Sequence, residues 1–287
     1  MVIPQNKKQL SENRQLKNSN VNAKIHLSSL NKRITIKNYN GSQIEKLLEQ
    51  LRQLAQKNNL SKIWVKSHEK DYKKFKKSGF QQEGVIKKYF PENDAIIMSY
   101  FTDKKRKQRK NHTKAQKILK EISSQKIKQN HQLPDSYRFK LAQPKDLPQL
   151  ARFYEKIFVS YPQPIFNPDY LKQKQTENLI YGIITRQEEI VGAASAETKP
   201  ELRNAEMTDF ATLPGHRGQG LAYHLLNKLE ERLQQKKYRA LYTIARANIF
   251  GINKIFYQNE YQYTGTLIQN CEIDGQLEDM NIWTKII

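Results

Sequence analysis

Apolar residues recur along this chain with two different periods, and the periods mark its elements. Ile44, Leu47, Leu48, Leu51 and Leu54 fall three or four apart and predict an amphipathic helix over 44–56. Ile34-Thr35-Ile36 before it and Ile63-Trp64-Val65 after it read as strands. A second helix is expected over 71–77, stopping near Gly79, then strands over 84–90 and 95–101 around Pro91-Glu92-Asn93-Asp94. The order is β-α-β-α-β-β. Residues 1–22, rich in Asn, Gln and Lys, show no such period and are expected to form a polar, poorly ordered tail.

Further along, a strand at 138–141 precedes a helix opened by Asp146-Leu147-Pro148, with Leu150, Phe153, Tyr154 and Ile157 on one face to about residue 159. A loop is expected over 160–168. Strands follow at 180–185, 189–197 and 206–212, a helix at 220–235, a strand at 240–245, a helix at 250–259, and strands at 264–268 and 281–286. From Glu206 onward the order is again β-α-β-α-β-β. At an offset of 181 residues, Phe75, Phe80 and Gly84 fall on Phe256, Tyr261 and Gly265. This reads as an internal repeat, with chance similarity of two short α/β segments as the alternative. In the first copy the turn Asn38-Tyr39-Asn40-Gly41-Ser42-Gln43 lacks a glycine-rich anion loop.

Composition changes the picture in two ways. The chain has 287 residues, with 50 Lys+Arg against 28 Asp+Glu and a formal charge of +22, and its mean hydropathy is −0.83. No stretch approaches the ~18 apolar residues of a spanning helix, and the start lacks the apolar core of a signal peptide, so a cytoplasmic protein is expected. One cysteine, Cys271, excludes a disulfide framework, and the six histidines show no metal-ligand spacing, so no metal is expected. The charge is also uneven: residues 1–132 hold 31 Lys+Arg and 10 Asp+Glu, residues 133–287 hold 19 and 18. It peaks at Lys104-Lys105-Arg106-Lys107-Gln108-Arg109-Lys110 and continues through Lys128, with Ile118, Leu119 and Ile122 at helical spacing. The run is read as a solvated basic helical linker; nucleic-acid docking through the basic half stays open, although the run lacks interleaved aromatics. The expected divisions are a tail at 1–22, an α/β domain at 23–102, the linker at 103–135 and a second domain at 136–287.

The chemistry concentrates after the strand at 206–212. Leu213-Pro214-Gly215-His216-Arg217-Gly218-Gln219-Gly220-Leu221-Ala222 is a glycine-bearing turn opening a long helix. Backbone N–H groups at a helix start have no intrahelical partner, the helix dipole adds positive potential, and glycine lets a diphosphate approach the main chain. Arg217 adds a permanent charge.

The Arg-x-x-Gly-x-Ala pattern in this strand-turn-helix setting resembles motif A of the GCN5-related N-acetyltransferases (GNAT), over about residues 136–287. The resemblance implies an α/β fold: a C-terminal GNAT domain with a mixed, mostly antiparallel sheet flanked by helices, preceded by a smaller degenerate GNAT-like domain. It implies acetyl-CoA as cosubstrate, its pyrophosphate held at Arg217, Gly218, Gln219, Gly220, Leu221 and Ala222, and its pantetheine arm and thioester along Phe210, Ala211 and Thr212. Tyr161-Pro162-Gln163-Pro164-Ile165-Phe166, the run from Ala205 through Pro214, Thr243-Ile244-Ala245-Arg246-Ala247 and Met280-Asn281-Ile282-Trp283 look like those of β-lysine N-acetyltransferases. Glu83-Gly84-Val85-Ile86-Lys87 and Met98-Ser99-Tyr100-Phe101 fit them too. That likeness implies Nε-acetyl-β-lysine, a compatible solute used in osmoadaptation, as product; another amine (lysine, a polyamine or a protein amine) is the alternative.

An alkyl ammonium with a pKa near 10.4 must lose a proton before it attacks a thioester. Glu206, at a spacing where some family members place a base, is the candidate; a structural ion pair is its competing role. Strand alternation places Glu206, Thr208, Phe210 and Thr212 on one face and Asp209 on the other. The backbone N–H of Ala211 or a neighbour is the expected oxyanion donor. The family's usual tyrosine acid falls on Phe256, which has no proton to give, leaving adjacent Tyr257, water, or unassisted thiolate departure. Asn248 and Asn253 are candidates for the pantetheine amides or for helix capping. For the acceptor, Glu197 and Asp209 are acidic candidates and Arg246 a carboxylate partner, each with a surface or structural ion pair as the alternative, and Tyr161 and Phe166 belong to a loop resembling the family's substrate lid, with core-packing aromatics as the alternative.

Overall fold

The computed structural model describes residues 11–18, 21–41, 43–109, 111–127, 132–273 and 275–287. The first half runs β1 (Ser11–Asn18), β2 (Val21–Ser28), β3 (Arg33–Gly41), α1 (Ile44–Lys57), β4 (Lys62–His68), α2 (Tyr72–Lys77), β5 (Gln81–Ile86) and β6 (Ala95–Phe101). Helix α3 (His112–Ser123) connects it to β7 (Arg138–Leu141), α4 (Leu147–Ile157), α5 (Pro168–Thr176), β8 (Leu179–Arg186), β9 (Glu189–Lys199) and β10 (Asn204–Thr212). The chain ends with α6 (Leu221–Gln235), β11 (Ala240–Arg246), α7 (Phe250–Gln258), β12 (Gln262–Ile273) and β13 (Gln276–Ile286).

All of these strands join one sheet, in the order β1-β2-β3-β4-β6-β5-β12-β13-β11-β10-β9-β8-β7. Most pairs are antiparallel, but β3 with β4 and β10 with β11 are parallel, each pair bridged by a crossover helix, α1 or α6. Strands β1–β6 thus repeat the order of β8–β13. The repeats meet where β5 pairs with β12 through Gly84 and Gly265, the residues that the 181-residue offset superposes. A Cβ on Gly265 would collide with the Glu83 carbonyl oxygen and Gly84 Cα, so only glycine allows this close approach.

Each repeat packs its helices on one face. Ile44, Leu47, Leu48 and Leu51 of α1 are buried with Ile25, Ile34, Ile36, Ile63 and Val65. In the second repeat, Leu221, Leu225, Leu226 and Leu229 of α6 are buried with Ala205, Met207, Leu241 and Phe256. A leucine fully buried in this way stabilises the fold by about 1.5–3 kcal/mol. Helices α4 and α5 cover the opposite face of β8 and β9.

Several elements differ from the expectations. Ser11–Asn18, placed in the tail, is an edge strand paired with β2 along its whole length; residues 1–10, 19 and 20 lie outside the described residues. The strand is nearly all polar because an edge with one partner needs little apolar burial, and only Leu16 reaches the core. Helix α5 lies where no element was expected: Asn167 caps it by accepting from the Asp169 and Tyr170 N–H groups, and of its residues only Leu171 is buried. The basic run is not wholly solvated. Arg106 is buried, donating to the carbonyls of Asn31 and Gln269 and to Ser61 Oγ, while Ala115, Ile118 and Ile122 of α3 are buried. Lys110 and Lys128 of that run lie outside the described residues.

A buried polar seam ties the repeats together. Lys62 Nζ lies 2.7 Å from Glu83 Oε2, and its proton also reaches the Ile268 carbonyl at 2.9 Å. Glu83 accepts from Ser99 Oγ and from the Ile268 N–H. Burial pulls the Lys62 ammonium down to about 8, with Glu83 opposing.

Candidate active site

Strands β10 and β11 pair only from Asn204–Glu206 to Ala240–Tyr242. Beyond that point β10 stays on β9 as far as Thr212, and β11 stays on β13 as far as Arg246, so the two part and leave a cleft with an unpaired backbone edge on each side. A β-bulge sharpens the opening: Thr208 faces Ser195 but Ala211 faces Ala193, and Asp209 takes φ 55°.

The bulge reverses the expected faces. Phe210 packs edge-on against Phe256 at 5.5 Å on the α6–α7 side. Asp209 turns to the other side, where Glu206 lies, because one extra residue shifts the alternation. There it accepts from Tyr161 Oη at 2.5 Å and from Ser195 Oγ. Asp209 therefore tethers the 158–167 loop to β10. Burial raises its carboxyl above the usual range, against the hydroxyls that hold it. Phe166 packs on the α4–α5 core.

At the wide end of the cleft the chain turns into α6. Gly218 and Gly220 take φ 80° and 73°, conformations that suit glycine, and a Cβ on Gly218 would meet no atom within 4 Å, so the turn is open on its outer side. The first intrahelical bond is His224 N–H to the Gly220 carbonyl, so the N–H groups of Leu221 and Ala222 precede it. Arg217 is exposed, and among the described residues its guanidinium is engaged through Nε, on the Thr212 carbonyl at 3.3 Å. His216 is held by Tyr137 Oη at 3.0 Å. The donors and open glycines fit a pyrophosphate.

At the narrow end, Glu206 stands in register with Tyr242 of β11 and with Glu197 of β9. Two carboxylates opposite each other on neighbouring strands repel unless a cation joins them. Burial raises the Glu206 carboxyl above the usual 4.5; the Lys66 charge is foremost in pulling it back, followed by a hydrogen bond from Tyr242 and the charge of Lys199, while Glu197 pushes it up. Lys66 Nζ donates to Tyr242 Oη at 3.1 Å, and Lys199 Nζ to Tyr89 Oη at 2.6 Å. Lys66 and Tyr89 come from the first repeat.

The chain matches the Acetyltransferase (GNAT) family over residues 147–253. It is 35% identical to N-acetyltransferase YodP of Bacillus subtilis, over 94% of this chain and 98% of that one. The chain belongs to the GNAT family. Two further relatives, both called β-lysine N(6)-acetyltransferase, are 33% identical in Methanococcus maripaludis (91% of this chain, 95% of that one) and 31% identical in Methanosarcina mazei (85% and 97%).

The C-terminal repeat carries the GNAT fold, and GNAT enzymes use acetyl-CoA, for which the cleft and turn provide the fitting donors. Other expected site residues make contacts within the chain. Asn253 is buried and fully used: its Oδ1 accepts from Asn281 and Trp283, and its Nδ2 donates to the Arg246 and Ile249 carbonyls. Through these bonds it cross-links α7 to β13. Arg246 is paired with Glu278 at 3.0 Å, so its guanidinium is already committed to a carboxylate of the protein. Tyr257 Oη donates to the Ser123 carbonyl at 3.1 Å, turned toward α3. Among the described residues, Asn248 Oδ1 is buried without a hydrogen-bond partner. The residues missed by sequence reasoning are Tyr242, Lys199, Lys66 and Tyr89. The last two reach Glu206's surroundings only because β5 joins β12, a pairing with no local signature.

Proposed function

We propose that this protein transfers the acetyl group of acetyl-CoA to the terminal amine of β-lysine, giving Nε-acetyl-β-lysine, a compatible solute. The observation that carries the substrate is full-length similarity to two proteins called β-lysine N(6)-acetyltransferase. The geometry supports the chemistry. Arg217, Gly218, Gln219, Gly220, Leu221 and Ala222 bind the pyrophosphate, and the parted edges of β10 and β11 bond the pantetheine arm through Phe210, Ala211 and Thr212, with Asn248 Oδ1 as a further acceptor for an amide N–H.

Glu197 and Glu206 attract the acceptor's ammonium groups, and Glu206 takes the proton from the attacking nitrogen, directly or through water. The nitrogen then bonds to the acetyl carbon. A bulge N–H, at or beside Ala211, stabilises the oxygen that becomes negative. Collapse restores the carbonyl, breaks the C–S bond and releases the coenzyme as thiolate, and the second proton, lost by the nitrogen that bonding made cationic, passes through water to that thiolate. Tyr161 and Phe166 form the wall over the acceptor.

The test is a panel of β-lysine, α-lysine, spermidine and a peptide amine with acetyl-CoA, read as thiol release. The expected result is a kcat/KM at least about tenfold higher for β-lysine; a higher value with any other amine overturns the assignment.

A further inference from the structure

Lys66 belongs to the repeat without a coenzyme loop, yet its ammonium is held in place beside the carboxylate pair. It lies 5.6 Å from the ring centroid of Trp64, 5.1 Å from that of Tyr89 and 5.0 Å from that of Tyr242. Three aromatic rings around one ammonium fix its position. Its hydrogen bond goes to Tyr242 Oη at 3.1 Å, and an ammonium can only donate. The phenol proton must therefore point elsewhere, and the carboxylate beside it in the strand register is Glu206.

We infer that Lys66 is a positioning residue of the acetyl transfer: by donating to Tyr242 Oη it aims that hydroxyl at Glu206 and, with its charge, keeps the base ionised. The inference rests on the reading of Glu206 as base. Lys66, from β4, is opposed at Glu206 by Glu197 of β9, whose negative charge favours the protonated acid. Lys199, also from β9, favours ionisation but is bonded to Tyr89 Oη. Tyr242 faces Glu206, Glu197 and Tyr89 as well. Lys66 is therefore the cation with a directed path to the base. The first repeat thus supplies part of the catalytic electrostatics after losing its own chemistry.

The experiment is the pH dependence of kcat at saturating acetyl-CoA and acceptor, in full-length protein. Lys66→Met keeps the stem within the aromatic cage and removes the charge. Its acid limb should move up by about one pH unit, lowering kcat about tenfold on the limb, while the plateau at higher pH is retained. Tyr242→Phe should move the limb in the same direction, and Lys66→Arg should bring it back to within half a unit of the wild type. A uniform loss across the profile with the limb unmoved would mean that Lys66 only joins the repeats, and would overturn the inference. Glu206→Gln separates the two readings: if the wild-type limb survives in that variant, Glu206 is not the base. If the limb disappears there but stays unmoved in Lys66→Met, only the role of Lys66 fails.

Discussion

The two repeats place the same elements at the same points and differ in what fills them. In both, a parallel strand pair parts after a few residues: β3 leaves β4 after Ile36–Val65, and β10 leaves β11 after Glu206–Tyr242. Both outer strands carry an extra residue near that point, at 36–38 and at 208–211. In the second repeat the gap is a cleft. In the first, Tyr39 closes it, donating to Asp71 Oδ2 at 3.0 Å and accepting from the His68 N–H at 3.2 Å. The turn also differs: residues 213–220 separate β10 from α6, whereas only Ser42 and Gln43 separate β3 from α1. Even the register pair is shared. Trp64 Nε1 donates to Thr35 Oγ1 at 2.7 Å where the second repeat has Tyr242 and Glu206. The opening is a property of the topology, and the second repeat adds to it an unfilled gap, a long turn and a carboxylate at one register position.

The largest effect tests whether the repeats are one folding unit. Gly265→Ala should cost about 3 kcal/mol or more, because the new Cβ meets main chain of β5 that cannot move without opening the sheet. A melting curve checks it. Unfolding in two separate steps, with the second repeat unaffected, would break the view of a single body.

Next comes the register pair. Glu206→Gln should lower kcat about 100-fold or more, with acetyl-CoA binding preserved. The pH sign follows from burial, which raises the Glu206 pKa above 4.5. A base works when deprotonated, so kcat should climb as pH rises through that raised value and then level. A rate that falls across the same window would remove Glu206 from the role. Thr35→Ala, at the equivalent position, should leave the profile in place.

Much of this difference was legible in the residues. Leu213-Pro214, the glycines and Arg217 announce the anion turn, because a long-range partner is not needed to make a helix start bind a diphosphate. The leucine spacing of α1 and the matching glycines 84 and 265 were likewise readable. What escaped was set by pairing. The bulge turned Phe210 and Asp209 to the faces opposite to those alternation assigns, and β1 is a strand only because β2 offers it a ladder. For Arg246, Asn253 and Tyr257 the residues alone left a site role beside a structural one, since their partners, Glu278, Trp283 and Ser123, are distant in sequence. The +22 charge pointed to external anions, yet Lys62, Lys66 and Arg106 of the basic half serve internal ones, carbonyls and aromatic faces.

The turn itself offers a smaller and more selective effect. Arg217→Ala should raise KM for acetyl-CoA about tenfold, the loss of one charge-assisted contact, with kcat for the bound acceptor nearly unchanged. Its exposure and weak tether make a folding defect an inadequate explanation of such a result. An equal fall in kcat would instead place Arg217 in the reacting geometry.

The smallest expected effect concerns the departing thiolate. The position that aligns with the family's tyrosine acid is Phe256, buried against Phe210 and Tyr261, and its neighbour Tyr257 is bonded to a carbonyl of α3. A thiol has a pKa near 8.5, so its anion leaves a tetrahedral intermediate without needing a strong acid at neutral pH. Tyr257→Phe should therefore change kcat by less than about twofold and cost about 1 kcal/mol of stability from the lost bond to Ser123. A solvent-isotope effect on kcat unchanged in the variant would agree with protonation by water. A kcat reduced about 50-fold, with that stability intact, would show that Tyr257 leaves α3 during turnover and donates the proton after all, restoring the acid that Phe256 lacks.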